Sequence, residues 1–118
     1  MDIITSEQIA ETIYSTARAI NTSEYHFAVP VIDTTICETF LTVYNQDVNP
    51  LHVKYLFDPA DPAAPRGQVK HEADVPPNCY HYHYVEPGYR GSARVSTTTN
   101  MAVVSKREWH YKHEVSNG

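Results

Sequence analysis

Apolar and polar side chains alternate along most of this chain, and that alternation limits the fold more than any other feature. The run 51–57, "LHVKYLF", shows it most clearly. Its apolar residues fall at every second position: Leu51, Val53, Tyr55 and Phe57. Successive side chains of a β-strand point to opposite faces, so such a run predicts a strand with one buried side. Short runs of this kind continue from Tyr25 to Val115.

Seven of these runs are separated by proline, glycine and asparagine. They cover residues 25–32, 36–44, 51–57, 68–75, 79–85, 92–99 and 101–115. Pro30 makes the first run an edge strand or a bulged strand, because proline cannot donate to a ladder. Pro87 and Gly88 fit the central positions of a type II turn. One sheet of this size would leave an apolar face in water, so we predict two packed antiparallel sheets.

The N-terminal segment has a different spacing. In "TSEQIAETIYSTARAI" (5–20), Thr5 and Gln8 match a capping box. The apolar residues recur at intervals of three and four: Ile9, Ile13, Ala17 and Ile20. This pattern predicts a helix that packs on the chain's own sheet or docks as an arm on a neighbouring subunit, and we favour the first. We divide the chain into a helical arm, 1–23, and a β-sandwich domain, 24–118.

Three stretches resemble immunoglobulin-like β-sandwich modules of bacterial surface and secreted proteins. They read "TFLTVYNQDVNPLHVKYLFDP", "VPPNCYHYHYV" and "YRGSARVSTTTNMAVVSKREW". The residues that carry the resemblance are Asn45, Pro76, Gly91, Ser92, Ala93 and Val95. The pattern is also similar to the sensory rhodopsin transducer family, small soluble β-sandwiches that oligomerise and are thought to bind partners or small ligands. Covering residues 27–109, the resemblance implies an all-β fold: an immunoglobulin-like antiparallel sandwich of about seven strands, here with one N-terminal α-helix.

Composition excludes several functions. At 118 residues the chain is one domain, and its net charge of −5 with no run of Lys or Arg argues against nucleic-acid binding. Its apolar stretches are too short for membrane insertion, and "MDIITSEQIAET" lacks the features of a signal peptide. We therefore expect a cytoplasmic or virion-associated protein. No catalytic or phosphate-binding motif occurs, so we predict no enzyme activity and no cofactor.

The two cysteines test the strand arrangement. Cys37 and Cys79 each begin a strand, and we expect those two strands to run antiparallel. The cysteines would then lie near opposite ends, about 20 Å apart at ~3.3 Å per residue. A disulfide needs Cα atoms within roughly 7 Å, so we predict two free thiols.

The stretch "NCYHYHYVEPGYRG" (78–91) holds the densest set of candidate site residues. His81 and His83 lie on one face of their strand and could supply two zinc ligands, with a third from His110, Glu108 or His71. The other interpretation needs no metal. In it, the two histidines are half-exposed on an outer or inter-subunit face, while the tyrosines beside them pack elsewhere. We favour this second interpretation and predict no metal.

Nine tyrosines favour contact with a partner, because tyrosine offers rigid amphipathic area. Tyr89 and Arg90 follow the Pro-Gly turn and are well placed for it. We predict that partner or ligand contact involves Tyr80, His81, Tyr82, His83, Tyr89, Arg90, Trp109 and His110.

These observations give a ranked set of functions. The first is a non-enzymatic structural or adhesive subunit of a homo-oligomer in a virion, filament or envelope layer. One alternative is a soluble adaptor that binds a small polar ligand or glycan in a Tyr/His-lined cleft between protomers. Another is a small metal-dependent enzyme centred on histidines. Protonating all seven histidines would move the net charge from −5 to about +2, so assembly would depend on pH.

Overall fold

The computed structural model describes residues 7–111, which form nine β-strands and no helix. The strands are β1 Gln8–Tyr14, β2 Arg18–Asn21, β3 Glu24–Asp33, β4 Glu38–Asn45, β5 Leu51–Pro59, β6 Gln68–Val75, β7 Tyr80–Tyr84, β8 Arg90–Thr97 and β9 Ala102–Trp109. The seven strands expected from alternation correspond to β3 through β9, so that prediction is confirmed for the described residues. The end of the last expected strand, 112–115, lies outside them. Within the same residues there is no helix that could span a membrane.

The strands form two antiparallel sheets that share one core. The four-stranded sheet has the order β1-β9-β4-β7, and the five-stranded sheet has the order β2-β3-β8-β5-β6. Apart from the short β2, the pairing follows one rule: β1 pairs with β9, β3 with β8, β4 with β7, and β5 with β6. The chain is therefore one long antiparallel hairpin rolled into two layers, which is the jelly-roll arrangement.

The predicted sandwich of two antiparallel sheets is confirmed, but its immunoglobulin-like topology is not. In an immunoglobulin sandwich the first two strands lie in the same sheet. Here the first two strands of the predicted sandwich, β3 and β4, lie in different sheets. Strand β3 pairs with β8, while β4 lies in the opposite sheet between β9 and β7.

The predicted N-terminal helix is wrong. Ile9 and Ile13 lie in β1, Ile20 lies in β2, and all three are exposed. The helical stripe had only about one apolar residue per turn, which gives a helix little to bury. Each sheet instead offers an unpaired edge, and β1 and β2 satisfy their backbone groups by joining those edges. Thr5, the proposed cap, lies outside the described residues.

The core confirms the alternation of the central strands. Leu51, Val53, Tyr55 and Phe57 are at most 3% exposed, and they pack with Phe27, Leu41, Val43, Val95 and Val104. Fully burying such side chains contributes about 1.5–3 kcal/mol each. Pro30 lies in a shift of register between Val29 and Ile32, as its place in the sequence predicted.

The cysteines also lie as expected. β4 runs antiparallel to β7, with Phe40 opposite Tyr84 and Tyr44 opposite Tyr80. Cys37 precedes one end of β4, whereas Cys79 is hydrogen-bonded to Asn45 at the other end. Both thiols are free, Cys37 buried and Cys79 exposed. The strand pairing behind that prediction is confirmed.

Candidate functional site

Strand β7 presents a different chemistry on each side. It lies at an edge of the four-stranded sheet, and its sequence "YHYHY" alternates exposed and half-buried residues. Its three tyrosines point outward, and its two histidines point toward the five-stranded sheet. The strand therefore contributes to two separate surfaces.

The first surface, here called the aromatic face, is the outer surface of the four-stranded sheet. Its aromatic residues are Phe40, Tyr44, Tyr80, Tyr82, Tyr84 and Trp109. Cross-strand pairing sets the rings side by side: the centroids of Tyr44 and Tyr80 are 4.5 Å apart, and those of Phe40 and Tyr84 are 5.1 Å apart. Such pairs are the units that stabilise a sheet. Two of the site residues predicted from sequence on β7, Tyr80 and Tyr82, thus join Trp109 on one surface.

Several polar groups on the aromatic face are already paired within it. Arg107 donates a hydrogen bond of 2.8 Å to Glu11, and its guanidinium lies 5.9 Å from the ring centroid of Tyr82. The hydroxyl of Tyr84 donates to Glu38 at 3.3 Å. These pairs reduce the cost of removing water from the face, because fewer charges would lose solvent without a partner.

Two hydroxyls show how closely the rings cover the sheet. Thr42 and Ser105 stand opposite each other on the outer side, hydrogen-bonded together, yet they are only 3% and 6% exposed. Tyr80 and Tyr82 themselves remain 55% and 53% exposed. The described part of the chain therefore leaves a broad aromatic layer in solvent.

The outer surface of the five-stranded sheet is different, because ionic pairs dominate it. His52 bridges Glu72 and Asp74 with contacts of 2.8 Å each, and these carboxylates raise the pKa of His52. Arg94 binds Asp58 through two hydrogen bonds of 2.9 Å and 3.1 Å. The exposed aromatic rings thus concentrate on only one of the two sheets.

The second surface lies between the edge strands of the two sheets and is called here the histidine stack: His71 from β6, which is exposed, with the half-buried His81 and His83 from β7. The ring of His71 lies 5.2 Å from that of His81 and 5.5 Å from that of His83, nearly parallel to both. Tyr55 lies beneath them, and its hydroxyl is 2.8 Å from Nδ1 of His81. The stack fills the space between the edge strands of the two sheets.

A pocket of about 200 Å³ opens beside the stack. It is lined by Phe57, Lys70, His83, Tyr84, Val85 and Glu86. Lys70 is the extra residue of a bulge in β6, where the register shifts between Tyr55 and Leu56. This bulge brings an ammonium group to the edge of a space that is otherwise largely aromatic.

Burial favours the neutral form of the two histidines on β7. It lowers the pKa of His83 to about 4, with a further contribution from His71 and His81. Burial, and then the neighbouring His71, also lower the pKa of His81. The pKa of the Tyr55 hydroxyl is raised by burial, so this group stays protonated. Desolvation penalises the charged form in all three cases.

The stack does not have the geometry of a metal centre. A metal lies near the plane of each imidazole that binds it, whereas the ring of His71 is tilted by only 16° and 13° from its two neighbours. Stacked parallel rings cannot all aim a nitrogen at one point. Across residues 7–111, no group of three or more His, Cys, Asp and Glu side chains could hold a metal ion.

Of the three proposed partners for His81 and His83, only His71 is near them. His110 is exposed beyond the end of β9, where its backbone N–H donates to Glu7. Glu108 accepts a hydrogen bond from the thiol of Cys37 at 3.4 Å. The stack therefore joins two strands that are consecutive in the chain but belong to opposite sheets.

The Pro-Gly turn holds its two candidate residues differently. Gly88 has φ of 82°, the positive value that a type II turn requires at this position, so the predicted turn is confirmed. Tyr89 is only 8% exposed, and its hydroxyl donates to the Ser92 carbonyl at 2.7 Å. Arg90 is exposed, and its Nε lies 3.4 Å from Oδ2 of Asp33. Arg90 can meet a partner, whereas Tyr89 packs against Phe57.

One cluster of reactive groups has no counterpart in the sequence analysis. Glu108 contacts both the Cys37 thiol and, at 3.5 Å, the ammonium of Lys106. Cys37 is 1% exposed, and burial raises the pKa of its thiol. A buried, protonated thiol is a poor nucleophile, so this cluster anchors the ends of β4 and β9 rather than suggesting catalysis.

The alternation in "YHYHY" predicted that tyrosines and histidines lie on opposite sides of β7, but the favoured interpretation, with the histidines on an outer face, is wrong: they face the other sheet and the tyrosines face outward. The sequence also did not single out Phe40, Tyr44 or Arg107. These residues also lie at alternating positions of their strands. Sequence alone did not show that β4, β7 and β9 are neighbours, which is what brings them onto one face. Comparisons with protein-family models, with curated proteins and with solved structures find no match for this chain. The functional assignment rests on the geometry described above.

Proposed function

We propose that this protein is a non-enzymatic assembly module that associates with a second copy of itself through the aromatic face. The observation that carries this proposal is the layer of exposed rings on a sandwich whose core is already complete. Exposed apolar patches of this kind mark interaction sites, and interfaces are enriched in tyrosine, tryptophan and arginine. The face contains all three residue types.

The properties of the face favour a second copy as the occupant. It is one side of a sheet, and sheets pack on one another about 10 Å apart with interdigitating side chains. Its central arginine is neutralised by Glu11, so two identical faces meet without an unpaired positive charge at the middle. Contact between identical faces gives a closed two-fold dimer.

The size of the face sets the strength to expect. Four strands about 4.8 Å apart and seven residues long cover roughly 450 Å² in projection. A face-to-face dimer would bury about 900 Å² plus the relief of the side chains, which is at the low end for specific interfaces. We therefore expect a reversible dimer with a Kd of about 10–100 µM.

The fold agrees with this role. Jelly rolls form viral capsid and lectin domains among others, and one fold supports many functions. A subunit of a virion, filament or envelope layer would use such an interface repeatedly.

Sedimentation velocity of untagged protein from about 5 to about 500 µM tests the proposal. We expect the mass to rise with concentration from the monomer value of 13.4 kDa toward twice that value. Replacing Tyr80 and Tyr82 together by serine should weaken the dimer at least tenfold, because exposed aromatic anchors commonly contribute 1–2 kcal/mol or more each. Val48→Ser is the matched control, since Val48 is 85% exposed but lies in the loop after β4.

The outcomes separate the alternatives. Circular dichroism must first show that both variants keep the wild-type fold. A wild-type chain that stays monomeric throughout the range contradicts the proposal. If that monomer also binds glycans, and loses them with the Tyr80 and Tyr82 replacements, the face is a lectin surface instead.

A further inference from the structure

Strand β7 is attached to the molecule by few contacts other than its own hydrogen bonds. It is five residues long, pairs only with β4, and its inward side consists of His81 and His83. Those two rings contact Tyr55, Phe57 and His71, on the five-stranded sheet. The histidine stack is therefore the main packing contact of β7 with the other layer.

The same strand carries three tyrosines of the aromatic face on its outer side. We propose that the histidine stack is an acid-sensitive latch: protonation of its rings releases β7 from β6 and dismantles the aromatic face. Release in acid follows from the packing around the stack together with the lowered pKa of His83. Its consequence for assembly rests on the proposed function.

The surroundings of the stack oppose a positive charge. From β5 it meets the Tyr55 hydroxyl and the Phe57 ring, and from β6 it meets His71, with Lys70 at the pocket. The residues of β4 directly opposite His83 and His81 are Leu41 and Val43, which carry no charge. The acidic group at the pocket is Glu86, which is exposed and follows β7. Two charged rings would lie about 5 Å apart with a lysine close by.

The direction of the pH effect follows from the lowered pKa of His83. The folded state binds a proton at His83 only near pH 4, whereas an opened β7 binds it near the ordinary value of about 6.5. Above about pH 6.5 both states are neutral and the latch is at full strength. As the pH falls from about 6.5 to about 4, the equilibrium shifts toward the opened state. At pH 5, protonation of His83 alone raises the equilibrium constant for opening by about 30-fold.

Hydrogen exchange at pH 7.5 and pH 5.0, corrected for the intrinsic exchange rate, tests the latch. We expect protection of the β7 amides to fall about 30-fold at the lower pH. Protection of the central strand β8 should stay within a few-fold, which provides the internal control. Protection of β7 that is equal at both pH values overturns the proposal.

Variants identify the histidines as the cause. Replacing His81 and His83 together by glutamine should abolish the acid-dependent loss of β7 protection. His71→Gln, on the exposed side of the stack, should reduce the loss and remains informative if the double variant does not fold. His52→Gln is the matched control and should leave the loss unchanged or larger, because the raised pKa of His52 stabilises the folded chain in acid. An unchanged loss in both stack variants overturns the proposal.

Mass measurements at the same two pH values separate the latch from the proposed function. If β7 opens in acid but the chain is monomeric at both pH values, the latch stands and the assembly proposal fails. If β7 stays protected and the dimer persists at pH 5.0, the latch fails and the assembly proposal stands. With both correct, the dimer present at pH 7.5 dissociates at pH 5.0.

Discussion

Replacing Gly91 by alanine is expected to destabilise the protein by about 3–5 kcal/mol, enough to unfold many domains of this size. Gly91 is the second residue of β8, paired with Ile32, and its φ of 152° is a conformation that other residues rarely adopt. An added Cβ would overlap the backbone carbonyl oxygen of Asp58, and it would lie 2.8 Å from the Tyr89 hydroxyl and 2.9 Å from the Ala60 nitrogen. Two of these neighbours are backbone atoms of the adjoining strand and loop, which cannot move without breaking their own hydrogen bonds.

Gly88→Ala provides the matched control. Gly88 also has a positive φ, 82°, but nothing lies within 4 Å of the place where a Cβ would be. It should therefore cost only the backbone strain, about 1 kcal/mol. Urea denaturation of the two variants and the wild type measures the difference. Equal losses for Gly88→Ala and Gly91→Ala would show that close packing around Gly91 is not what requires glycine there.

Gly91 is one of the residues on which the resemblance to immunoglobulin-like modules was based, and the structure shows what those residues do. Ala93 and Val95, which follow it, are 2% and 0% exposed in the core, and Asn45 is 0% exposed at the end of β4. Asn45 fixes the turn after β4, Gly91 allows the close approach of the Asp58 backbone, and Ala93 and Val95 belong to a buried strand. Such constraints recur in many sandwiches, and they do not determine which strand lies beside which. For this reason the predicted sandwich was right in its layers, while the predicted topology was not confirmed.

The misread N-terminus has a related cause. Apolar spacing is a local signal, and Ile9 and Ile13 satisfy a helical interval as well as a strand edge. The deciding partner is β9, almost one hundred positions further along the chain. Nothing in the sequence of either strand indicates that it pairs with the other. The first-to-last pairing that makes the fold a jelly roll is therefore hidden from any short window of sequence.

The candidate site was predictable to the extent that it depends on alternation. "YHYHY" in a strand must place tyrosines on one side and histidines on the other, and it does. The identity of the third histidine depended on contact between opposite sheets. His71 was one of three candidates, and the bulge at Lys70 helps to set its position opposite Tyr55. Predicting that the histidines face inward rather than outward also required the register of β7 on β4.

Asn45→Ala should cost about 3 kcal/mol. The Asn45 amide nitrogen donates to the carbonyls of Asn49, at 2.9 Å, and Val75, at 3.0 Å, while its oxygen accepts from the Asp47 N–H at 2.8 Å. Alanine removes these bonds and leaves the carbonyl of the buried Val75 without this donor. A net hydrogen bond contributes about 1 kcal/mol, and an unsatisfied buried group costs about 1–3 kcal/mol more.

Aspartate at the same position separates hydrogen bonding from packing. Asn45→Asp keeps the size and the acceptor but cannot donate, and it sets a buried carboxylate against two carbonyl oxygens, so it should destabilise at least as much as alanine. Gln46→Ala, at the exposed neighbouring position, should change the free energy of unfolding by less than about 0.5 kcal/mol. Thermal and urea unfolding of the three variants measure this order. An aspartate variant as stable as the wild type would mean that the amide donor is not what holds the end of β4 to β6.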